Sequence, residues 1–219
     1  MIRKFVFLQT GNQTVNLPSK ILDDVVQAFA QLPGVGQKSA LRMALHLLKM
    51  QPEQVVNMGD KIGSLRKEVR YCMHCYNITG SDICDICADA KRDEGTICIV
   101  EDIRDIIALE NTAQYKGHYH VLGGLISPMD GIGPSQLTID ALVDRLSKRP
   151  IREIVVALST TMEGDTTLFY IFKKIKPLNI PVSTLARGVA IGGELAYADE
   201  VTLGRSIVNR VPYDHELVK

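Results

Sequence analysis

The stretch YCMHCYNITGSDICDIC, residues 71 to 87, holds four of the chain's five cysteines in the pattern CxxC, eight residues, CxxC. It constrains the fold more than any other feature, because four thiols this close must be bridged, ligated to a metal or kept as inert thiols. Cysteines in a CxxC turn present both sulfurs on one side of a tight loop, and two such turns close a tetrahedral four-sulfur site. The intervening YNITGSDI contains Gly80 and polar turn formers, so the chain can double back as a hairpin and set Cys84 and Cys87 against Cys72 and Cys75. The pattern favours one structural Zn2+, with an iron–sulfur cluster, disulfides or inert thiols as alternatives. The gap is shorter than the commonest zinc-ribbon spacing. His74, inside the first turn, could replace a sulfur, but with four cysteines available it reads as a solvated side chain. Cys98, in the apolar run TICIV, reads as an ordinary buried thiol.

The redox compartment bears on that choice. MIRKFVFLQT begins with two basic residues and a short apolar run, Phe5 to Leu8, too short for a signal-peptide core and followed by no small-residue cleavage site. No stretch approaches the length of a membrane span. A cytoplasmic chain is expected, which favours metal over disulfides. At 219 residues and 46% hydrophobic, it can bury a real core and divide into two or three modules. Zero net charge argues against a wholly basic nucleic-acid binder. Residues 38 to 70 nevertheless carry Lys38, Arg42, Lys49, Lys61, Arg66, Lys67 and Arg70 against Glu53, Asp60 and Glu68, a local +4. Such a segment is either a solvated helix face or a surface for anions.

Periodicity divides the chain near Gly95. Before it, Ile21, Leu22, Val25, Val26 and Phe29 repeat at helical spacing behind Ser19 as N-cap. LPGVGQKSA interrupts that helix. A second, with Leu41, Leu45, Leu47 and Leu48, runs to about Met50, and a third after Pro52 uses Val55, Val56, Ile62, Leu65 and Val69. Beyond Gly95, strands TICIV, HYHVLGG, EIVVALS and PVSTLA alternate with helices over 103–111, 135–148, 166–176 and about 201–209. Repeated βα units predict a mainly parallel sheet with helices on both faces. There is no internal repeat or low-complexity tract.

Two constellations could carry function. In LPGVGQKSALRMALHLL, residues 32 to 48, Gly34 and Gly36 flank Val35 in a turn directly before a helix start. Open N–H groups there form an anion site, with Lys38 and Arg42 one turn apart beside it, although a plain helix–loop–helix has the same outline. The P-loop pattern GxxxxGK[ST] is not met. The stretch instead resembles the helix-hairpin-helix motif, which grips the DNA backbone without reading bases. The second constellation is acidic: Glu101 and Asp102 end TICIV, Asp105 lies one turn on, and TMEGD after EIVVALS supplies Glu163 and Asp165. Carboxyl ends of neighbouring parallel strands share one crevice, so these acids should converge where Mg2+ could bind, unless they merely cap helices.

The order helix-hairpin-helix, four-cysteine finger, strand-terminal Glu and later acidic pair resembles the bacterial recombination mediator family RecR, whose larger domain is a Toprim fold. LPGVGQKSALRMALHLL, HVLGGLISPMDGIGPSQL and ARGVAIGGELAYADEVTLGRSI match that family closely. Only the first dozen or so residues and the VPYDHELVK tail fall outside the resemblance. It implies an α/β Toprim-like domain over residues 95–190, preceded by a helical helix-hairpin-helix region over 1–70 and a zinc finger over 71–94, and followed by a segment over 191–219. It implies a non-catalytic DNA clamp or adaptor in recombinational repair, cytoplasmic and nucleoid-associated, acting with RecO and RecF to load RecA at gapped or damaged DNA. Partners would be single- and double-stranded DNA without sequence specificity, and copies of itself in dimers and ring tetramers. Lys38, Arg42, Gly34 and Gly36 would face DNA, Cys72, Cys75, Cys84 and Cys87 would hold zinc, and Glu101, Asp105, Glu163 and Asp165 would meet RecO or bind Mg2+. Catalytic Toprim proteins usually carry DxD where this chain has Glu163-Gly164-Asp165, and none of its seven tyrosines has the setting of a topoisomerase nucleophile. The alternatives are a Mg-dependent Toprim nuclease with Glu101 as general base, and a zinc-stabilised adaptor that never touches DNA.

Overall fold

A computed structural model describes residues 19–189, 192 and 194–210, so expectations for the N-terminal extension and the VPYDHELVK tail lie outside the described residues. The chain forms two compact units, one ending at Lys67 and the other beginning at Glu68.

In the first unit, α1 (Lys20–Ala30) and α2 (Gln37–Leu47) pack as a hairpin. Val26, Ala40 and Ala44 are buried at their contact, with Leu22, Phe29, Val35 and Leu41 packed around them. The two alanines let the helices approach closely. Ser19 occupies the N-cap with extended backbone, as its residue type predicts, but its side chain makes no capping bond. The third helix, α3 (Pro52–Glu68), buries none of its residues. The apolar stripe expected to seat it, including Val56, Ile62 and Leu65, stays more than half exposed.

The second unit opens with a small antiparallel hairpin, β1 (Arg70–Tyr71) and β2 (Ile78–Thr79), and a one-turn helix α4 (Asp85–Ala88). Strands β3 (Asp93–Val100), β4 (Gly117–Val121), β5 (Glu153–Ala157) and β6 (Val182–Thr184) then form a parallel sheet in the order β4-β3-β5-β6. Strand alternation divides its side chains between two cores. Ile97, Ile99, Ile154 and Val156 pack against α6 (Ile139–Ser147) and α7 (Met162–Ile175) through Leu142, Leu146, Ile171 and Ile175. Cys98, Val100, Tyr119 and Val121 face the other way, onto α5 (Ile103–Asn111) through Ile106 and onto Tyr76 and Ile86 of the cysteine segment. Helices therefore cover both faces, as the alternating pattern predicts. A last helix, α8 (Glu200–Val208), follows.

Several element boundaries differ from the sequence expectation. The HYHVLGG strand starts at Gly117 and stops at Val121. The helix expected over 135–148 is a 3-10 turn at Pro134–Gln136 followed by α6 from Ile139, because the Thr138 hydroxyl is used to bond the Val121 carbonyl. Helix α7 begins at Met162 instead of Thr166, because the Thr161 hydroxyl accepts from Gly164 N and caps the helix.

The edge strand β4 is buried along its whole length. An open edge of parallel sheet presents unpaired N–H and C=O groups. Here Arg92 donates to the Gly117 carbonyl at 3.1 Å, Arg145 to the Tyr119 carbonyl at 2.7 Å, and Thr138 to the Val121 carbonyl at 2.6 Å. Val121 N donates to the Cys75 carbonyl at 2.8 Å. His120, on the same strand, is buried and held neutral, its pKa pulled down to about 4 by desolvation and then by the charge of Arg145.

Arg92 also forms a two-pronged pair with Glu110, which accepts from Tyr119 Oη at 2.7 Å, tying β3, α5 and β4 together. The Arg92 guanidinium holds the Glu110 carboxyl below its ordinary range. A depressed folded-state pKa stabilises above the unfolded-state value, and that contribution is lost as pH falls through the carboxylate range. Glu110→Gln should therefore cost about 1–2 kcal/mol at neutral pH. In urea unfolding, the gap from wild type should narrow as pH drops through that range; a gap independent of pH would mean that the ion pair is not its source.

Candidate functional site

The hairpin β1–β2 and the start of α4 bring the sulfurs of Cys72, Cys75, Cys84 and Cys87 within 4.8 Å of one another. Backbone bonds within each knuckle set this up: Tyr76 N donates to the Cys72 carbonyl at 2.9 Å, and Ala88 N to the Cys84 carbonyl at 3.0 Å. Tyr76 takes positive φ, 63°, to turn the chain back after Cys75. Cys75 Sγ and Cys84 Sγ lie 3.5 Å apart, and Cys84 N donates to Cys72 Sγ at 3.4 Å. Sulfurs at tetrahedral vertices around zinc stand about 3.8 Å apart, so the donor set fits a single ion of that kind. The close contact between the two sulfurs pushes the Cys75 thiol up and pulls the Cys84 thiol down. A cation relieves that crowding. All five cysteines are free thiols, so the disulfide alternative finds no bridge. Cys98 is buried away from the cluster, its thiol pushed up to about 12 by desolvation.

In the first unit, the turn between α1 and α2 places Gly34 at φ 78°, a conformation that side chains rarely adopt. Gly36 is the N-cap of α2 and offers no side chain to bond the helix's first N–H groups. Those donors stay open, at the positive end of the helix dipole. Lys38 and Arg42 are both exposed on α2, and among the described residues neither joins a salt bridge.

The acids lie where the strand order predicts. β3 and β5 are neighbours, with Val100 paired to Ala157, so Glu101 and the start of α7 share the carboxyl end of the sheet. Each acid nonetheless has its own arrangement. Asp102 caps α5 and binds Arg104, while Asp105 accepts from Glu101 N at 3.0 Å and Asp102 N at 3.1 Å. Asp165 accepts from Arg187 at 2.9 Å, and that guanidinium lowers its pKa. Glu101 goes the other way: burial, then the charges of Asp105 and Asp102, raise it. Among the described residues, the four cysteines are the only group of three or more His, Cys, Asp or Glu whose ligand atoms gather closely enough for one ion.

Glu163 and Asp165 sit inside the first turn of α7, not in a loop before it. Gly164 between them has a steric role that the spacing alone did not disclose. A Cβ there would stand 1.9 Å from the Ser159 carbonyl oxygen, so only glycine lets the helix start this close to the end of β5. Arg187 and Arg145 were also not singled out by sequence reasoning. Arg187 sits in the ARG tripeptide after β6, and no local pattern ties it to an acid 22 residues earlier.

A helical hairpin with exposed cations beside an uncapped helix start, a four-cysteine finger and a parallel sheet with acids at its carboxyl end are together the arrangement of a helix-hairpin-helix and Toprim protein. Family models agree: residues 22–65 match the RecR helix-hairpin-helix, 95–186 the Toprim domain and 188–211 the RecR C-terminal region. The chain is 55% identical over 195 residues to recombination protein RecR of Porphyromonas gingivalis, covering 89% of this chain and 94% of that one. It is 54% identical over 193 residues to recombination protein RecR of Bacteroides thetaiotaomicron, covering 88% and 94%. For recombination protein RecR of Amoebophilus asiaticus the identity is 53% over 195 residues, covering 89% and 98%. The chain belongs to the RecR family. Among the described residues, no helix is long and apolar enough to cross a membrane.

Gly164→Ala should destabilise the chain by about 1–3 kcal/mol, the usual range for forcing a group into a filled space. Thermal unfolding of the variant checks this. A melting temperature equal to wild type would show that α7 can shift away from Ser159 at no cost.

Proposed function

We propose that this chain is a zinc-stabilised, non-catalytic DNA adaptor in recombinational repair. The observation that carries the reading is the joining of an open helix-hairpin-helix to a Toprim sheet whose Asp165 is neutralised by the chain's own Arg187. A catalytic Toprim site needs its acidic pair free for Mg2+. Here one member of the pair is bound to a guanidinium, and the pair reads Glu163-Gly164-Asp165 instead of DxD. Cys72, Cys75, Cys84 and Cys87 hold one structural Zn2+ and leave it no open position for water.

DNA meets the α1–α2 turn. Phosphate oxygens accept from the open N–H groups at the start of α2, and Lys38 and Arg42 supply charge, so binding is independent of sequence. Glu101, Asp105 and Glu163 remain as a negative surface for a basic partner, RecO, with RecF acting in the same loading of RecA. The exposed apolar stripe of α3 supports self-association into dimers and ring tetramers, since a folded chain of this length, with a radius of gyration of about 17 Å, is too small to enclose a duplex alone. Such a protein works in the cytoplasm, at the nucleoid.

Binding to labelled gapped DNA across a salt series tests the reading, with Mg2+ present and RecO added in a second arm. Each neutralised phosphate contributes about 0.9 to the slope of log affinity against log salt, so the Lys38→Ala, Arg42→Ala double variant should flatten it by about two per chain engaged. Glu163→Ala should weaken RecO association and leave unassisted DNA binding intact. A wild-type slope in the double variant would remove the hairpin as the DNA contact. Strand cleavage lost in Glu101→Gln would establish the nuclease reading instead.

A further inference from the structure

Arg145 on α6 is the charged group that the proposed function leaves without a task. Its guanidinium Nη1 donates to the Tyr119 carbonyl, two residues before the Val121 N–H that holds Cys75. Its Nε is buried with no hydrogen-bond partner among the described residues. No salt bridge among the described residues includes Arg145, and the adjacent carboxylate, Asp144, is taken by Lys148 at 2.6 Å. Among the other cations nearby, Arg149 repels it. With Met73, His74 and Tyr76 of the first cysteine knuckle, these residues line a cleft of about 240 Å3 between α6 and the finger. A half-buried guanidinium without a carboxylate is costly unless some other negative charge faces it.

Four thiolates around Zn2+ carry a net charge of about −2, and groups around the first ligands set how firmly such a centre holds its ion. We propose that Arg145 is the counter-charge of the four-cysteine centre: a positioning residue that reaches the finger from the Toprim helix α6 and stabilises its thiolates when metal is bound. The electrostatics agree. Burial lowers the pKa of Arg145, and the groups that push it back up are the sulfurs of Cys87, Cys75 and Cys72. Stabilisation is reciprocal, so a cation that gains from the thiolates favours their ionised form equally. Burial first, and then the charge of Arg145, lowers the pKa of both His118 and His120. Metal retention in the finger and the packing of α6 against the β4 edge are thereby coupled.

This inference rests on the reading of the four sulfurs as a zinc site, and the experiment separates the two. Zinc affinity of the full-length chain is measured by competition with a chromophoric chelator for wild type, Arg145→Gln and Arg145→Lys, with thermal unfolding recorded in parallel. Gln keeps an N–H donor for the Tyr119 carbonyl and removes the charge, whereas Lys keeps the charge. Arg145→Gln should weaken zinc binding by about 10- to 100-fold and Arg145→Lys by no more than about threefold. Wild-type affinity in Arg145→Gln, with a lowered melting temperature, would overturn the proposal and leave Arg145 as a strut for the β4 edge. Equal losses in Gln and Lys would overturn it too, because charge would not be the property that counts. A wild-type chain that takes up no zinc would overturn the metal reading itself, and this inference with it.

Discussion

The closed edge of strand β4 is the constraint on which the second unit depends. A parallel sheet needs cover on both faces and protection at its ends, and β4 is an edge strand with buried residues throughout. Three side chains and one backbone carbonyl supply that protection, from Arg92, Thr138, Arg145 and Cys75. The last of these belongs to the four-cysteine finger, which also sends Tyr76 and Ile86 into the core beneath α5. The finger is thus part of the sheet's packing, and whatever organises its sulfurs helps to hold β4 in place. A hairpin with two residues in each strand cannot organise itself in water.

At the other end of the sheet, the charges are arranged to satisfy one another within the chain. Asp102 and Asp105 cap α5, and Asp165 engages Arg187 from the segment after β6. Converging carboxylates repel unless a cation joins them. At Asp165 that cation is the guanidinium of Arg187. Unit one makes the opposite choice. Its cations Lys38 and Arg42 are exposed beside an uncapped helix start, and neither joins a salt bridge among the described residues.

Much of this was legible in the residues. Cysteine spacing alone foretold a four-sulfur cluster, since CxxC turns have few geometries, and the parallel sheet followed from strands alternating with helices. Charge, paired glycines and a helix start coincide in one short window around Lys38 and Arg42, and the structure leaves both exposed on α2 behind that start. What stayed hidden depends on contacts distant in sequence. Helix α7 begins four residues early because Thr161 caps it and Gly164 fits under Ser159, and TMEGD by itself reads as a loop. Arg145 looks like a solvated position on an amphipathic helix until β4 proves to be an edge. The apolar stripe of α3 promised a buried face, yet none of its residues is buried among the described residues.

The central claim is that metal in the four-cysteine centre secures the β4 edge. Amide hydrogen exchange of the zinc-loaded and chelator-stripped chain tests it most directly, read at Tyr76, Val121 and Ala88. If the account is right, loss of zinc removes protection at Val121 together with the two knuckle amides, while amides at the centre of β3 and β5 stay protected. Protection at Val121 that is unchanged in metal-free protein, with the knuckle amides already exchanging, would contradict it.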